Sequence, residues 1–233
     1  MTNSQVNDLS VSYPSHLVHG VSGFSNDEVL SGGCAIFWSS SLALTPVKVD
    51  TCSRRICAIL LEAKNVRLLC VCVYLPYEKA NENTDEFLFQ MSVIDSIISQ
   101  FPDCHVIVGG DFNIDFSRQS LQSHVLKDFC VRSNLHPVRD HSKSSIDYTY
   151  NFNMTSFSVI DHILLSEQLF NTSVSYVSIL HECDDTSDHD PVCLHLDVSV
   201  VKLKCDTRVF TVRPSWDKAN ALHIEQYKKS LAG

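Results

Sequence analysis

Two apolar, branched runs, Arg55 to Ala63 and Arg67 to Leu75, are separated only by Lys64-Asn65. Runs of that length and composition read as strands, and so short a connection closes a hairpin. The rest of the chain repeats the theme. Cys34 to Trp38, His105 to Val108, Asp147 to Phe152, Phe157 to Leu165, Ser173 to Leu180 and Val192 to Val200 are further strands by the same reading, with Gly109-Gly110 stopping the second of them. Helical spacing occurs between strands. Asn83 or Thr84 caps a helix whose apolar positions Phe87, Leu88, Met91, Ile94, Ile97 and Ile98 recur every three or four residues, and Phe101-Pro102 ends it. Leu121, Val125, Leu126, Phe129 and Cys130 mark a second helix over 120–134. Strands outnumber helices and the helices fall between them, so the expected architecture is two packed sheets with helices outside.

Composition narrows the class. At 44% hydrophobic and 19% charged residues, 233 residues are able to bury a substantial core. The start, Met1 to Ser10, is polar and lacks the cationic and apolar regions of a signal peptide. The apolar runs are too short to span a bilayer. The expectation is an intracellular, nuclear or cytoplasmic protein without membrane contact, in which the sequons at Asn153 and Asn171 carry no glycan. None of the ten cysteines forms a C-x-x-C pair, so they are expected as small core residues, without the spacing of a zinc site. A net charge of -9 argues against nucleic-acid binding through a broad basic surface. It leaves room for an enzyme whose phosphate contacts are confined to one groove, especially where metal ions supply positive charge.

Four polar clusters end or interrupt the apolar strands. They are Tyr74-Leu-Pro76, Gly110-Asp111-Phe112-Asn113, Ile160-Asp161-His162 and Ser187-Asp188-His189. Each alone has a plain structural reading, such as an Asx turn for Gly-Asp-Phe-Asn. Together they hold what phosphodiester hydrolysis needs. Carboxylates suit a hard divalent cation, a base activates water, and donors meet the charge that builds on phosphate. Asp111 and Asp188 are candidate oxygen ligands or bases. His189 is a candidate donor or proton carrier that needs a carboxylate to fix its tautomer, a role open to Asp161. Asn113 and Tyr74 are neutral donors.

In that order and spacing, the four clusters resemble the endonuclease/exonuclease/phosphatase family. The resemblance runs from about Gly32 to Val200. Three further segments resemble the endonuclease domain of LINE-type non-LTR retrotransposons: Ser31-Gly-Gly-Cys-Ala-Ile-Phe37, Asp147-Tyr-Thr-Tyr150, and a tail from Arg213-Pro-Ser-Trp216 through Tyr227. The resemblance implies a DNase I-like α/β fold, a four-layer two-sheet β-sandwich flanked by helices. It divides the chain into an irregular segment 1–30, the nuclease domain 31–200 and a helical connector 201–233. It implies that Tyr74 contacts the scissile phosphate, that Asp111 positions or deprotonates water, and that Asn113 holds a phosphate oxygen. It implies Asp188 as metal ligand, His189 as stabiliser of phosphorane-like charge oriented by Asp161, and Thr149 and Ser187 as support for phosphate or the histidine loop. The implied cofactor is magnesium, with manganese as substitute. The implied partners are DNA and a reverse transcriptase domain in a longer polyprotein.

The chain also departs from the pattern. The family opens with a strand bearing an asparagine, a helix, and a strand ending in a metal-binding glutamate. No such pattern precedes Ser31, and Asp27 and Glu28 lie too near the Gly-Gly strand to replace that glutamate. The first strands are therefore expected to be missing and activity to be compromised. The competing expectations are an inactive retroelement remnant and a phosphatase or lipid phosphodiesterase of the same superfamily.

Overall fold

The computed structural model describes residues 12–23, 33–42, 44–77, 83–153, 155–181 and 187–201. All belong to the compact unit Met1–Leu203. The connector helix expected in 201–233 lies outside the described residues beyond position 201, as do Asp27 and Glu28.

The expected hairpin is the centre of the molecule. Strand β4 (Ile56–Glu62) and strand β5 (Arg67–Tyr74) pair antiparallel, from Glu62 opposite Arg67 to Ile56 opposite Val73. They belong to a six-stranded sheet of order β3-β4-β5-β6-β10-β7, which adds β3 (Thr45–Val49), β6 (His105–Asp111), β7 (Leu135–Pro137) and β10 (Asp161–Ser166). Helix α1 (Thr84–Ser99) crosses between the parallel strands β5 and β6. Helix α2 (Leu121–Arg132) follows, with the Ser120 hydroxyl accepting from the Ser123 amide. That bond satisfies one of the free amides of the first turn.

The strands read as continuous apolar runs because the sheet is covered on both faces. Ala58, Leu60, Leu69, Val71, Val108 and Leu164 meet the helices through Phe87, Ile94, Leu126 and Phe129. Fully burying each of the leucine, valine, isoleucine and phenylalanine side chains among these contributes roughly 1.5–3 kcal/mol by leaving water. On the opposite face, Ile59, Leu61, Leu68 and Leu165 pack beneath two separate antiparallel pairs. One pair is β1 (His16–Ser22) with β2 (Gly33–Ser39); the other is β11 (Val174–Ile179) with β12 (Val192–Leu196). Among the described residues, the second layer is therefore two ladders that share no backbone hydrogen bonds.

Several expectations need correction. Residues 16–22, expected to be irregular, form β1, a strand whose weak pattern His-Leu-Val-His-Gly-Val-Ser is stabilised by pairing along the whole of β2. The strand expected to stop at Gly109-Gly110 continues to Asp111. Glycine is required there by close approach, not by a turn: a Cβ on Gly110, at φ +140°, would lie 2.1 Å from the Val73 carbonyl oxygen. The strand expected over 157–165 is two: β9 (Ser156–Ser158) pairs with β8 (Tyr150–Phe152), and β10 begins at Asp161. A short helix α3 (Glu167–Thr172), which the residues did not advertise, links β10 to β11.

Candidate active site

Sheet register brings the site together. Tyr74 ends β5, Asp111 ends β6 and Asp161 opens β10; Tyr74 lies beside Asp111 in the parallel pair, and Asp161 beside Asp111 in the antiparallel pair. Three adjacent strands thus deliver three of the expected residues to one end of one sheet. Placement on strands rather than loop tips holds them in fixed relative positions. Arg55 lies over the Tyr74 ring, 5.4 Å from its centroid, and is itself held by Glu86 at 2.6 Å.

The loop after β6 turns at Asn113, whose φ of +55° is one that asparagine tolerates. Its backbone amide donates to Asp111 Oδ1 at 2.8 Å. Its side-chain amide donates to Asp111 Oδ2 at 3.0 Å and to the Leu75 carbonyl at 2.9 Å. Both amide protons are thereby committed, so Asn113 here fixes the Asp111 carboxylate; the expected phosphate contact finds no free donor on it. His162, next to Asp161, is buried with Nε2 at 2.7 Å from the Ile114 carbonyl. Burial pushes its pKa down to about 4, so it is neutral and donates, pinning the same loop.

The 187–189 segment completes the group. His189 Nδ1 lies 2.9 Å from Asp161 Oδ2, and the His189 amide donates to Ser187 Oγ at 3.0 Å. The Tyr150 ring packs against the imidazole at 4.9 Å, in an edge-on arrangement. Backbone bonds from Asn151 to the Asp188 carbonyl and from Asp190 to the Thr149 carbonyl tie the segment to the Tyr148–Asn151 stretch. Thr149 itself is fully buried, and its hydroxyl accepts from the amides of Ile160 and Asp161, each at 3.0 Å. Of the two expected roles of Thr149, support for phosphate or for the histidine loop, these bonds correspond to the second: its hydroxyl holds the backbone that carries Asp161, the partner of His189.

Electrostatics follow from this crowding. Burial first, and the Asp161 carboxylate second, push Asp111 up to about 6. The hydrogen bond with Asp161 raises His189 above the ordinary imidazole value. Donor atoms of Asp111, Asp161 and His189 all lie within 4.8 Å of one another. Asp188 is exposed and outside that trio, but lines the same cavity of about 400 Å³ with Tyr74, Asp111, Asn113, Tyr150 and His189. Two carboxylates in contact range with a third at the rim fit a hard divalent cation, which prefers oxygen donors. Arg118 also lines the cavity. It was not among the expected residues, because a lone exposed arginine in a polar stretch carries no pattern. A larger cavity of about 510 Å³ beside α2 contains no such juxtaposition of carboxylates and histidine, and chemistry rather than size selects the site.

This fold is the DNase I-like fold of the endonuclease/exonuclease/phosphatase proteins. The chain is similar to the endonuclease domain of TRAS1, a telomere-specific non-LTR retrotransposon, with 15% identity, a TM-score of 0.60 and 78% of each chain covered. It is similar to the catalytic domain of Xenopus laevis APE2, with 17% identity, a TM-score of 0.66, and 88% of this chain and 82% of that one covered. It is also similar to the 3' phosphatase NExo from Neisseria, solved with product DNA hairpin, at 16% identity and a TM-score of 0.62, covering 85% and 86%. Residues 68–193 match the family model described as endonuclease-reverse transcriptase, and the chain belongs to that family. No curated protein matches it. Fold, family and the carboxylate–histidine group together support metal-dependent phosphodiester hydrolysis as the general class of chemistry.

Proposed function

We propose that the chain is a magnesium-dependent DNA endonuclease domain of retrotransposon descent, acting inside the cell and joined to a reverse transcriptase in a longer polyprotein. The observation that carries the reading is the Asp111–Asp161–His189 group, gathered within 4.8 Å at the mouth of a cavity that also presents Tyr74, Arg118 and Asp188. The endonuclease-reverse transcriptase family and the likeness to the TRAS1 domain support it.

Asp111, with a pKa of about 6, is mostly ionised at neutral pH and still basic enough to take a proton from water. Asn113 aims its carboxylate. His189, protonated more readily through Asp161, donates to a phosphate oxygen as charge develops. Tyr74 and Arg118 contact the backbone phosphate from the cavity walls. Asp188, with a second carboxylate of the group, would hold the divalent ion, which supplies charge neutralisation at the phosphate. Manganese fits the same oxygen donors.

The test is nicking of supercoiled plasmid by the purified chain with magnesium or EDTA, alongside Asp188→Ala and His189→Ala. The expected result is magnesium-dependent nicking that falls by roughly 10²–10⁴ in the His189 variant, the usual span for one general acid or donor. A folded chain that never nicks would leave the remnant reading in its place. Hydrolysis of a phosphomonoester without nicking would assign the site to a phosphatase.

A further inference from the structure

We infer that Cys34, Cys57 and Cys72 form a three-sulfur site for a single thiophilic d10 cation, zinc, separate from the carboxylate site. The cysteines come from three strands. Cys57 on β4 and Cys72 on β5 are direct partners in the antiparallel register. Cys34 on β2 caps them from the second layer, its thiol donating to the Cys72 carbonyl at 3.3 Å. The three sulfurs lie within 4.8 Å of one another. Tetrahedral zinc with bonds of about 2.3 Å sets sulfurs about 3.8 Å apart, so closing the set requires side-chain shifts of about 1 Å or less.

Mutual proximity, not burial, separates this set from the other described cysteines. Cys34 is 8% exposed and Cys57 is fully buried. Cys72 is part-exposed and lines a cavity of about 410 Å³ between the main sheet and the start of β12, together with Gly109, Asp161 and His189. That cavity provides an entry path and a place for the fourth, solvent-derived ligand. Cys52, Cys70, Cys104, Cys130 and Cys193 are free thiols that belong to no such group among the described residues. On binding, the thiol protons leave to solvent, and a divalent ion with three thiolates carries one net negative charge. The spacing of the cysteines in the chain conceals this site, because its ligands meet only through sheet pairing and layer packing.

The experiment titrates the reduced full chain with cadmium, whose thiolate charge-transfer absorption reports sulfur ligation and is blind to carboxylates. One equivalent should saturate the band. Cys34→Ser and Cys72→Ser should each abolish it, while Cys70→Ser should retain it. A second measurement needs no variant: X-ray absorption of the one-zinc form should show a shell of three sulfurs at about 2.3 Å. Absence of the band from folded wild type, its persistence in both Ser variants, or a zinc shell of oxygen and nitrogen alone would overturn the assignment.

Discussion

Replacing Asp111 with asparagine should make the metal-free protein more stable at pH 8 and less stable at pH 4. In the folded protein Asp111 holds its proton up to about 6, against an ordinary 3.8. Between those values the folded state binds more protons than the unfolded chain, so stability falls as pH rises, and the loss persists above them. At ~1.36 kcal/mol per pH unit the gap amounts to about 3 kcal/mol as an upper value, since the carboxylate is only part-buried. Asparagine removes that penalty, but its single oxygen keeps only one of the two bonds from Asn113, a loss of about 1 kcal/mol. The net expectation is a gain of about 1–2 kcal/mol at pH 8 and a deficit of about 1 kcal/mol at pH 4. His189, raised chiefly by Asp161, contributes stability that is full below its ordinary value and lost as pH climbs through the folded one. Its trend has the same sign and largely cancels between the two proteins. Urea unfolding in EDTA at steps from pH 4 to pH 8 measures the difference directly. A difference between variant and wild type that stays constant across that range would refute the account of Asp111 as a carboxylate strained by burial and by Asp161.

Gly110→Ala should cost roughly 3 kcal/mol in urea unfolding, because the new methyl group meets the Val73 backbone and not a movable side chain. Thr149→Val should lose about 1–3 kcal/mol by leaving the Ile160 and Asp161 amides without an acceptor, and should lower nicking further by loosening Asp161. Arg118→Ala should leave stability within about 0.5 kcal/mol, as exposed sites do. It should weaken plasmid binding and flatten its salt dependence by about one phosphate contact, read from binding at several salt concentrations. Unchanged salt dependence would remove Arg118 from the DNA face.

The sequence by itself determined the strand-rich class, the β4–β5 hairpin and the α1 crossover, because each is written in local periodicity and turn chemistry. It also determined the candidate set, since Tyr74, Asp111, Asp161 and His189 stand where apolar runs end or open and polar residues are otherwise unexpected. Only the tertiary structure decided what those residues touch. The Asp111–Asp161 contact depends on the register of β6 against β10, which no local pattern encodes. Thr149 and Asn113 turn inward to hold the backbone and a carboxylate, a choice made by the cavity around them and not by residue type. Gly110 reads as a strand end and is instead a point of close strand contact, because the clash that forbids a side chain comes from Val73 on a neighbouring strand. β1 lacks a strong signal of its own and exists through pairing with β2. The meeting of Cys34, Cys57 and Cys72 belongs to the same class of facts: three strands from two layers converge, and proximity created by packing leaves no trace in spacing along the chain.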